Sequence, residues 1–270
     1  MCIRNWLMLL LIAGICSPAF AVDDLIKGDR FSIRVGTYSI VNNETSIALE
    51  SGNLLGVSLS TTRDLGMDDR IRTPFVDGYF RFNPYHSLHY AWYRNSREGE
   101  TIVDEEFEWG GETYPLNANL QSELTTNIYK LSYLFSFHHE KKVELGLLAG
   151  LHITGVKVAV KGTLQGDVVA DEGTDFTAPL PVVGFRMSYD IIPNKLIWWN
   201  KVELFYINYD NYEGSLSDIS TNIEWRFSKF VGIGAAMKGT RLNLEAQEDN
   251  KLASLENVDS GFTAYLSFYF

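Results

Sequence analysis

Cysteine is almost absent. The chain has only Cys2 and Cys16, so residues 22–270 have neither a disulfide framework nor thiol chemistry. No stretch of that region approaches the roughly 20 consecutive apolar residues of a membrane helix, and mean hydropathy is −0.07. Basic residues are in deficit, with 23 Lys+Arg against 34 Asp+Glu and a net charge of −11. That balance argues against nucleic acid as a partner, because phosphate binding needs a basic face. No zinc-ligand spacing, phosphate-cradling glycine loop or nucleophile elbow is present, so no metal and no cofactor is expected. No Pro- or Ser-rich linker separates a second domain, and no repeat of fixed period stands out.

What is present begins with an export signal. Arg4 gives a positive start, Trp6 to Ile15 a short apolar run, and Ala19-Phe20-Ala21 an A-x-A cleavage pattern. Residues 1–21 read as a signal peptide and 22–270 as the mature protein. Ile15 is bulky where a lipoprotein signal would place a small residue before Cys16. Both cysteines leave with the peptide, as does Arg4, which moves the net charge from −11 to about −12.

The mature region alternates. Phe262, Ala264, Leu266, Phe268 and Phe270 are apolar and interleave with Thr263, Tyr265, Ser267 and Tyr269. Period two is the strand signal. A greasy strand that ends the chain is an aggregation-prone edge unless it closes against another strand. Similar segments are Arg30–Ile40, Arg72–Phe82, Ser87–Ser96, Leu124–His138, Val143–Lys157, Pro179–Asp190, Leu196–Tyr209, Leu216–Phe227 and Val231–Leu242. Each is long enough to cross a bilayer as a tilted strand. Tight connections, such as Asn83-Pro84-Tyr85-His86 and Ile192-Pro193-Asn194-Lys195, alternate with long acidic ones at Arg97–Glu123, Gly162–Asp175 and Glu245–Ser260. In outer-membrane barrels short turns face the periplasm and long loops the outside. The expected fold is all-β: a closed antiparallel transmembrane β-barrel. Counting Thr45–Ser51 and Leu54–Thr61 as strands joined at Gly52-Asn53 gives twelve strands, the favoured count; counting neither gives ten.

The hairpin Asp77-Gly78-Tyr79-Phe80-Arg81-Phe82-Asn83 and the segment Asn127-Ile128-Tyr129-Lys130-Leu131-Ser132-Tyr133, followed by Lys142-Val143-Glu144-Leu145-Gly146, carry a resemblance. With the signal peptide, they are similar to a group of proteobacterial outer-membrane β-barrel proteins of uncharacterised function, porin-like in architecture. The resemblance covers most of residues 22–270. It implies the bacterial outer membrane as location, lipid and lipopolysaccharide as surroundings, and barrel-assembly machinery as a partner that reads Phe270. It supplies no catalytic motif.

Phasing the strands turns charge inward, because a charge on the lipid face costs about 2–4 kcal/mol at mid-depth. The lumen candidates are Arg30, Arg34, Asp77, Arg81 and His89 on the first strands, then Lys130, Glu144 and His152. Further along they are Arg186, Lys201, Glu203, Glu224, Arg226 and Lys238. His138 falls on the same face as Lys130. Both signs occur, so the set is either a salt-bridged filling or a charged constriction that selects solutes. Trp92, Trp198, Trp225, Phe268 and Phe270 suit the aromatic girdles that anchor a barrel.

The chain has five histidines, and no nucleophile–base pair is evident on an outer rim, so no enzyme is expected. His152, with Thr154 two residues on, is the lumen residue an enzyme would most readily use. Acidic clusters could bind divalent cations: Asp64, Asp68 and Asp69 sit around Gly66 but do not match the EF-hand spacing, and the run Asp104-Glu105-Glu106 reads as a solvated loop face or, more sharply, as a site where a divalent cation bridges to lipopolysaccharide. The functional expectation is a narrow passive pore for small or amphipathic solutes. A plugged structural or surface-interaction barrel is the alternative, and a lipid-modifying enzyme a third class.

Overall fold

Strict alternation over stretches longer than a membrane needs makes long paired strands. The computed structural model describes residues 29–51, 58–140, 142–209, 212–248 and 251–270. The signal-peptide assignment for residues 1–21 lies outside them. The strands are β1 (Phe31–Ser51), β2 (Ser58–Ser60), β3 (Ile71–Asn83), β4 (His86–Ile102), β5 (Phe107–Trp109), β6 (Glu112–Tyr114) and β7 (Asn119–Glu140). They continue as β8 (Val143–Leu164), β9 (Asp167–Ile192), β10 (Leu196–Tyr209), β11 (Tyr212–Arg226), β12 (Val231–Glu248) and β13 (Lys251–Tyr269).

Every long strand is antiparallel to its neighbour, and β13 returns to pair with β1 from Ser32–Tyr269 to Ser51–Lys251. Phe270 completes the seam: its carbonyl accepts from the N–H groups of Arg30 (2.9 Å) and Phe31 (3.1 Å). The β1–β13 seam therefore leaves neither end strand as a free edge of the kind that invites aggregation. Among the described residues ten long strands form it; β2 pairs only with the top of β1, and β5–β6 is a separate hairpin.

The count of ten among the described residues reflects a bulge in β1; the expected turn at Gly52-Asn53 and residues 54–57 of the expected strand Leu54–Thr61 lie outside the described residues, and Ser58–Ser60 of it forms β2. Ile40 pairs with Gly261 and Asn42 with Ser260, leaving Val41 as an extra residue. Tyr38 and Ile40 face inward before it, Asn43, Thr45 and Ile47 after it. An inserted residue of this kind shifts the inward phase by one. The change of phase imitates a new strand, but Thr45–Ser51 is the continuation of β1.

The long connections are also shorter than expected. β8 and β9 run up to a two-residue turn at Gln165 and Gly166, both at positive φ (55° and 96°), the conformation of a type I′ hairpin turn. The upper parts of β4, β7, β12 and β13 likewise remain paired where Arg97–Glu123 and Glu245–Ser260 read as loops. The outward face carries an apolar belt, with Leu147 55% exposed, Val183 65% and Ile233 52%. Trp92, Trp225 and Phe270 lie exposed on that face, and Trp198 and Phe268 partly so. A continuous apolar girdle is unusual on a soluble monomer, and ring closure pairs backbone groups that hydrocarbon could not satisfy, except above Val183–Leu204, where β9 and β10 part.

Candidate functional site: the barrel lumen

The lumen has three levels. At the short-turn end, side chains from most strands converge on carboxylates. Glu144 receives Arg81 (3.5 Å), Arg186 (3.7 Å) and His139 (3.6 Å), and accepts a hydrogen bond from Ser136 Oγ (2.5 Å). Glu224 faces Arg34 (3.9 Å) and Arg226 (3.7 Å) and accepts from the Tyr269 hydroxyl. Arg34 also meets Asp77 (3.4 Å), and Arg226 meets Asp29 (2.5 Å). Trp199 lies between two guanidinium groups, Arg34 at 4.9 Å and Arg186 at 5.1 Å from its ring, a cation–π arrangement strengthened by exclusion of water.

The middle level is a second lattice. Lys130 Nζ reaches Asp218 (2.8 Å) and Glu203 (3.3 Å); Lys201 reaches Glu203 (2.9 Å) and Lys238 reaches Asp218 (3.5 Å). Lys238 also donates to the Tyr93 hydroxyl (2.9 Å), Ser132 to Glu203 (3.1 Å) and Thr240 to Asp218 (2.9 Å). Asp259 accepts from Tyr38 (2.7 Å) and Asn257 (3.2 Å). Glu203 and Asp218 are each 1% exposed. Such charges are tolerable only when paired and hydrogen-bonded together.

At the long-hairpin end the filling becomes apolar. Leu120, Leu124, Val156, Val158 and Val160 from the wall form one buried cluster with Leu59, Leu65, Met67, Val103, Trp109 and Tyr114 from the connections. Gly110 and Gly111, at φ 66° and 96°, turn the β5–β6 hairpin. That turn brings Phe107 onto Tyr114 with ring centroids 4.9 Å apart and planes 7° from parallel. The Tyr114 hydroxyl donates to the Val160 carbonyl (3.0 Å), and burial pushes its phenol up, so it stays a neutral donor. Beside it, segment 58–70 fills the wall where β3 stops: β2 pairs with β1, Met67 bridges Gly99, and Ser122 donates to the Leu65 carbonyl (2.9 Å). The connections and the wall share one hydrophobic core.

The sequence candidates fall as follows. Arg34, Lys130, Glu144, His152, Arg186, Glu203, Glu224 and Arg226 are buried, and Asp77, Arg81, Lys201 and Lys238 partly so with ion partners inside. His89 is partly buried, against Ser87 Oγ (3.0 Å) and the Tyr79 ring (5.6 Å). Arg30 departs from the expectation. It precedes β1 and is exposed at the rim, although its backbone is already paired on both sides, its N–H donating to the Phe270 carbonyl and its carbonyl accepting from the Arg81 N–H. His138 is a second correction: a register shift between Ser136 and His138 turns His139 to Glu144 instead.

Sequence reasoning missed Asp218, Trp199, Tyr38 and Tyr93. All four were legible, since each shares the inward phase of its strand. It missed Arg97 and Asp259 because both were assigned to loops. Asp64, weighed as a cation ligand, accepts from the Ser60 N–H (2.7 Å) and pairs with Arg63 (2.9 Å). Among the described residues no group of three His, Cys, Asp or Glu is placed to hold a metal.

The architecture is similar to that of the outer-membrane protease OmpT from Escherichia coli, with a TM-score of 0.57 at 12% identity, covering 92% of this chain and 99% of that one. Lower similarity is found to OprG from Pseudomonas aeruginosa (TM-score 0.37, 9% identity, covering 90% and 97%) and to the toluene transporter TodX from P. putida (0.32, 8%, 90% and 90%). At these identities the likeness concerns the fold of outer-membrane β-barrels and no residue of the lumen. No protein-family model and no curated protein matches the sequence.

Proposed function

We propose that the protein is an integral barrel of a bacterial outer membrane whose lumen is shut to free diffusion, and that it presents a folded acidic cap to the outside. The observation that carries this reading is the shared apolar core of wall and connections, in which Trp109 is 1% and Tyr114 0% exposed. An open pore keeps water in its lumen; here the upper lumen is packed as a protein interior. Below it, the ion lattices leave cavities of only about 70 Å³. The plugged alternative is therefore better supported than the passive pore. The cap is folded, with Glu105, Glu106 and Glu108 exposed around the buried Trp109. Catalysis has no place in this reading. Short turns face the periplasm and the cap faces outward, as in barrels of this kind.

Planar-bilayer recording of the purified, heat-modifiable barrel tests it. A silent bilayer is expected, and steady single-channel steps would overturn the closed-lumen reading. Recovery of the processed chain as a water-soluble monomer would overturn the membrane reading itself.

A further inference from the structure

The outward face of the wall forms rows across neighbouring strands. Val35, Val76, Trp92, Tyr129 and Ile153 are partners in register from β1 to β8. In that sector this row is the top of the apolar belt. Trp92 and Tyr129 are 36% and 51% exposed, as aromatic residues are at a membrane interface. Two residues further out, about 7 Å along the strand, the next row holds Thr37, Pro74, Arg94 and Asn127. The row beyond it holds Ser39, Arg72, Ser96 and Thr125.

The β3–β4 ladder stops at Phe75–Tyr93, but the Thr73 hydroxyl still donates to the Arg94 carbonyl and keeps the two strands together. Arg72 and Arg94 are therefore diagonal neighbours on adjacent strands. Such positions are about 7–8 Å apart, so two arginine side chains can meet at one point. Both are exposed, and among the described residues neither guanidinium has an ion pair or a hydrogen bond. The chain has a net charge of −11, so carboxylates are not scarce.

Other outward cations are answered. Arg241, across the ring, pairs with Glu256 (3.2 Å), and Lys157 stands opposite Asp175. Arg70, also exposed, directly follows Asp68 and Asp69. The outward carboxylates of β4 and β7, Glu98 and Glu123, face each other one row above Ser96 and Thr125, and Glu123 accepts from Thr125 (3.3 Å). Like charges side by side repel, so the pair Arg72 and Arg94 adds nothing to the wall by itself. It complements an anion.

The level of the pair selects that anion. The polar layer of a bilayer extends about 5–8 Å beyond the hydrocarbon on each side, and Arg94 stands at that height above the aromatic row. A phosphate there accepts charge-assisted hydrogen bonds from two guanidinium forks. Acyl chains of the same molecule would fall on Val76, Trp92 and Tyr129.

We propose that Arg72 and Arg94 dock one phosphorylated lipid of the outer leaflet, with its phosphate monoester between the two guanidinium groups and its chains along the aromatic row. The site rests on the membrane reading and orientation given above, and not on whether the lumen is closed. Native mass spectrometry of the folded barrel in detergent tests it, with bis-phosphorylated lipid A, dephosphorylated lipid A and inorganic phosphate as probes. A saturable single-lipid adduct is expected with phosphorylated lipid A, at least about tenfold tighter than with the dephosphorylated form. Millimolar inorganic phosphate should not displace it.

Arg72→Gln/Arg94→Gln should weaken the adduct at least about tenfold, whereas Arg241→Gln should leave it unchanged. The urea midpoint of the lipid-free double variant should not fall, as it would if the arginines served only the wall. Should the double variant fail to fold, Arg94→Lys decides: it keeps the charge, loses the fork and should bind several-fold more weakly. Equal affinity for both forms of lipid A overturns the phosphate, and displacement by inorganic phosphate assigns the site to the free ion. Wild-type affinity in the double variant or in Arg94→Lys, or an equal loss in Arg241→Gln, overturns the residue assignment. A folded barrel that binds no lipid A overturns the site and leaves the membrane reading standing; a water-soluble chain overturns that reading instead.

Discussion

In the lower lumen, Asp218 sits between Lys130 and Lys238 and accepts from Thr240; in the upper lumen, Trp109 and Tyr114 sit among Val158, Val160 and Leu120. Both regions fill the same ring, but they differ in how they respond to damage. The ion lattice is worth little as an average, since desolvation offsets attraction. Its strength lies in completeness, because removing one charge leaves its buried partners uncompensated. The apolar plug has no such interdependence. Its loss on truncation is set by the area and void at the altered position. The lattice also specifies: a charge that slips by one residue would face lipid, so the register of each lower strand is held tightly.

The largest effect expected from breaking this contrast is in the lattice. Asp218→Asn leaves Lys130 and Lys238 facing a neutral amide and should cost about 3–5 kcal/mol, read as a lower urea midpoint of the folded band. The double variant Lys130→Met/Asp218→Leu should recover part of that loss, whereas a purely additive result would show that the two do not act as a pair. Trp109→Ala should cost about 3 kcal/mol in the cap. Limited proteolysis should find new cleavage between residues 104 and 117 while the barrel stays heat-modifiable. Combining Trp109→Ala with Asp218→Asn should give the sum within about 0.5 kcal/mol if the two halves are independent; a larger coupling would make them one cooperative unit. The smallest effect belongs outside both. Arg241 and Glu256 are 3.2 Å apart but 63% and 55% exposed, and Arg241→Ala should change stability by no more than about 0.5 kcal/mol.

Much of this was written in the residue order. Alternation in β8 alone separates Leu147 and Leu151 outside from His152 and Thr154 inside, and the same rule would have found Asp218 two residues after Leu216. Bulges defeated that rule. At Val41 and at Phe137 one extra residue exchanges the two faces, and no residue type announces it, so Thr45–Ser51 looked like a separate strand and His138 took the place of His139. Loop polarity misled in a different way: the tops of β4, β12 and β13 carry acids on their outward face like any solvated loop, yet Arg97 and Asp259 face inward between them.

The sequence by itself determined that this chain forms strands, which face of each is greasy and which carries charge, because period-two patterning is local and needs only the neighbouring residues. Only the tertiary structure decided that ten strands close the ring and that Glu144 gathers Arg81, Arg186 and His139. It alone decided that the connections fold inward as an apolar plug and that the wall parts between β9 and β10. These depend on ring closure and on contacts between residues far apart in the chain, for which periodicity carries no signal.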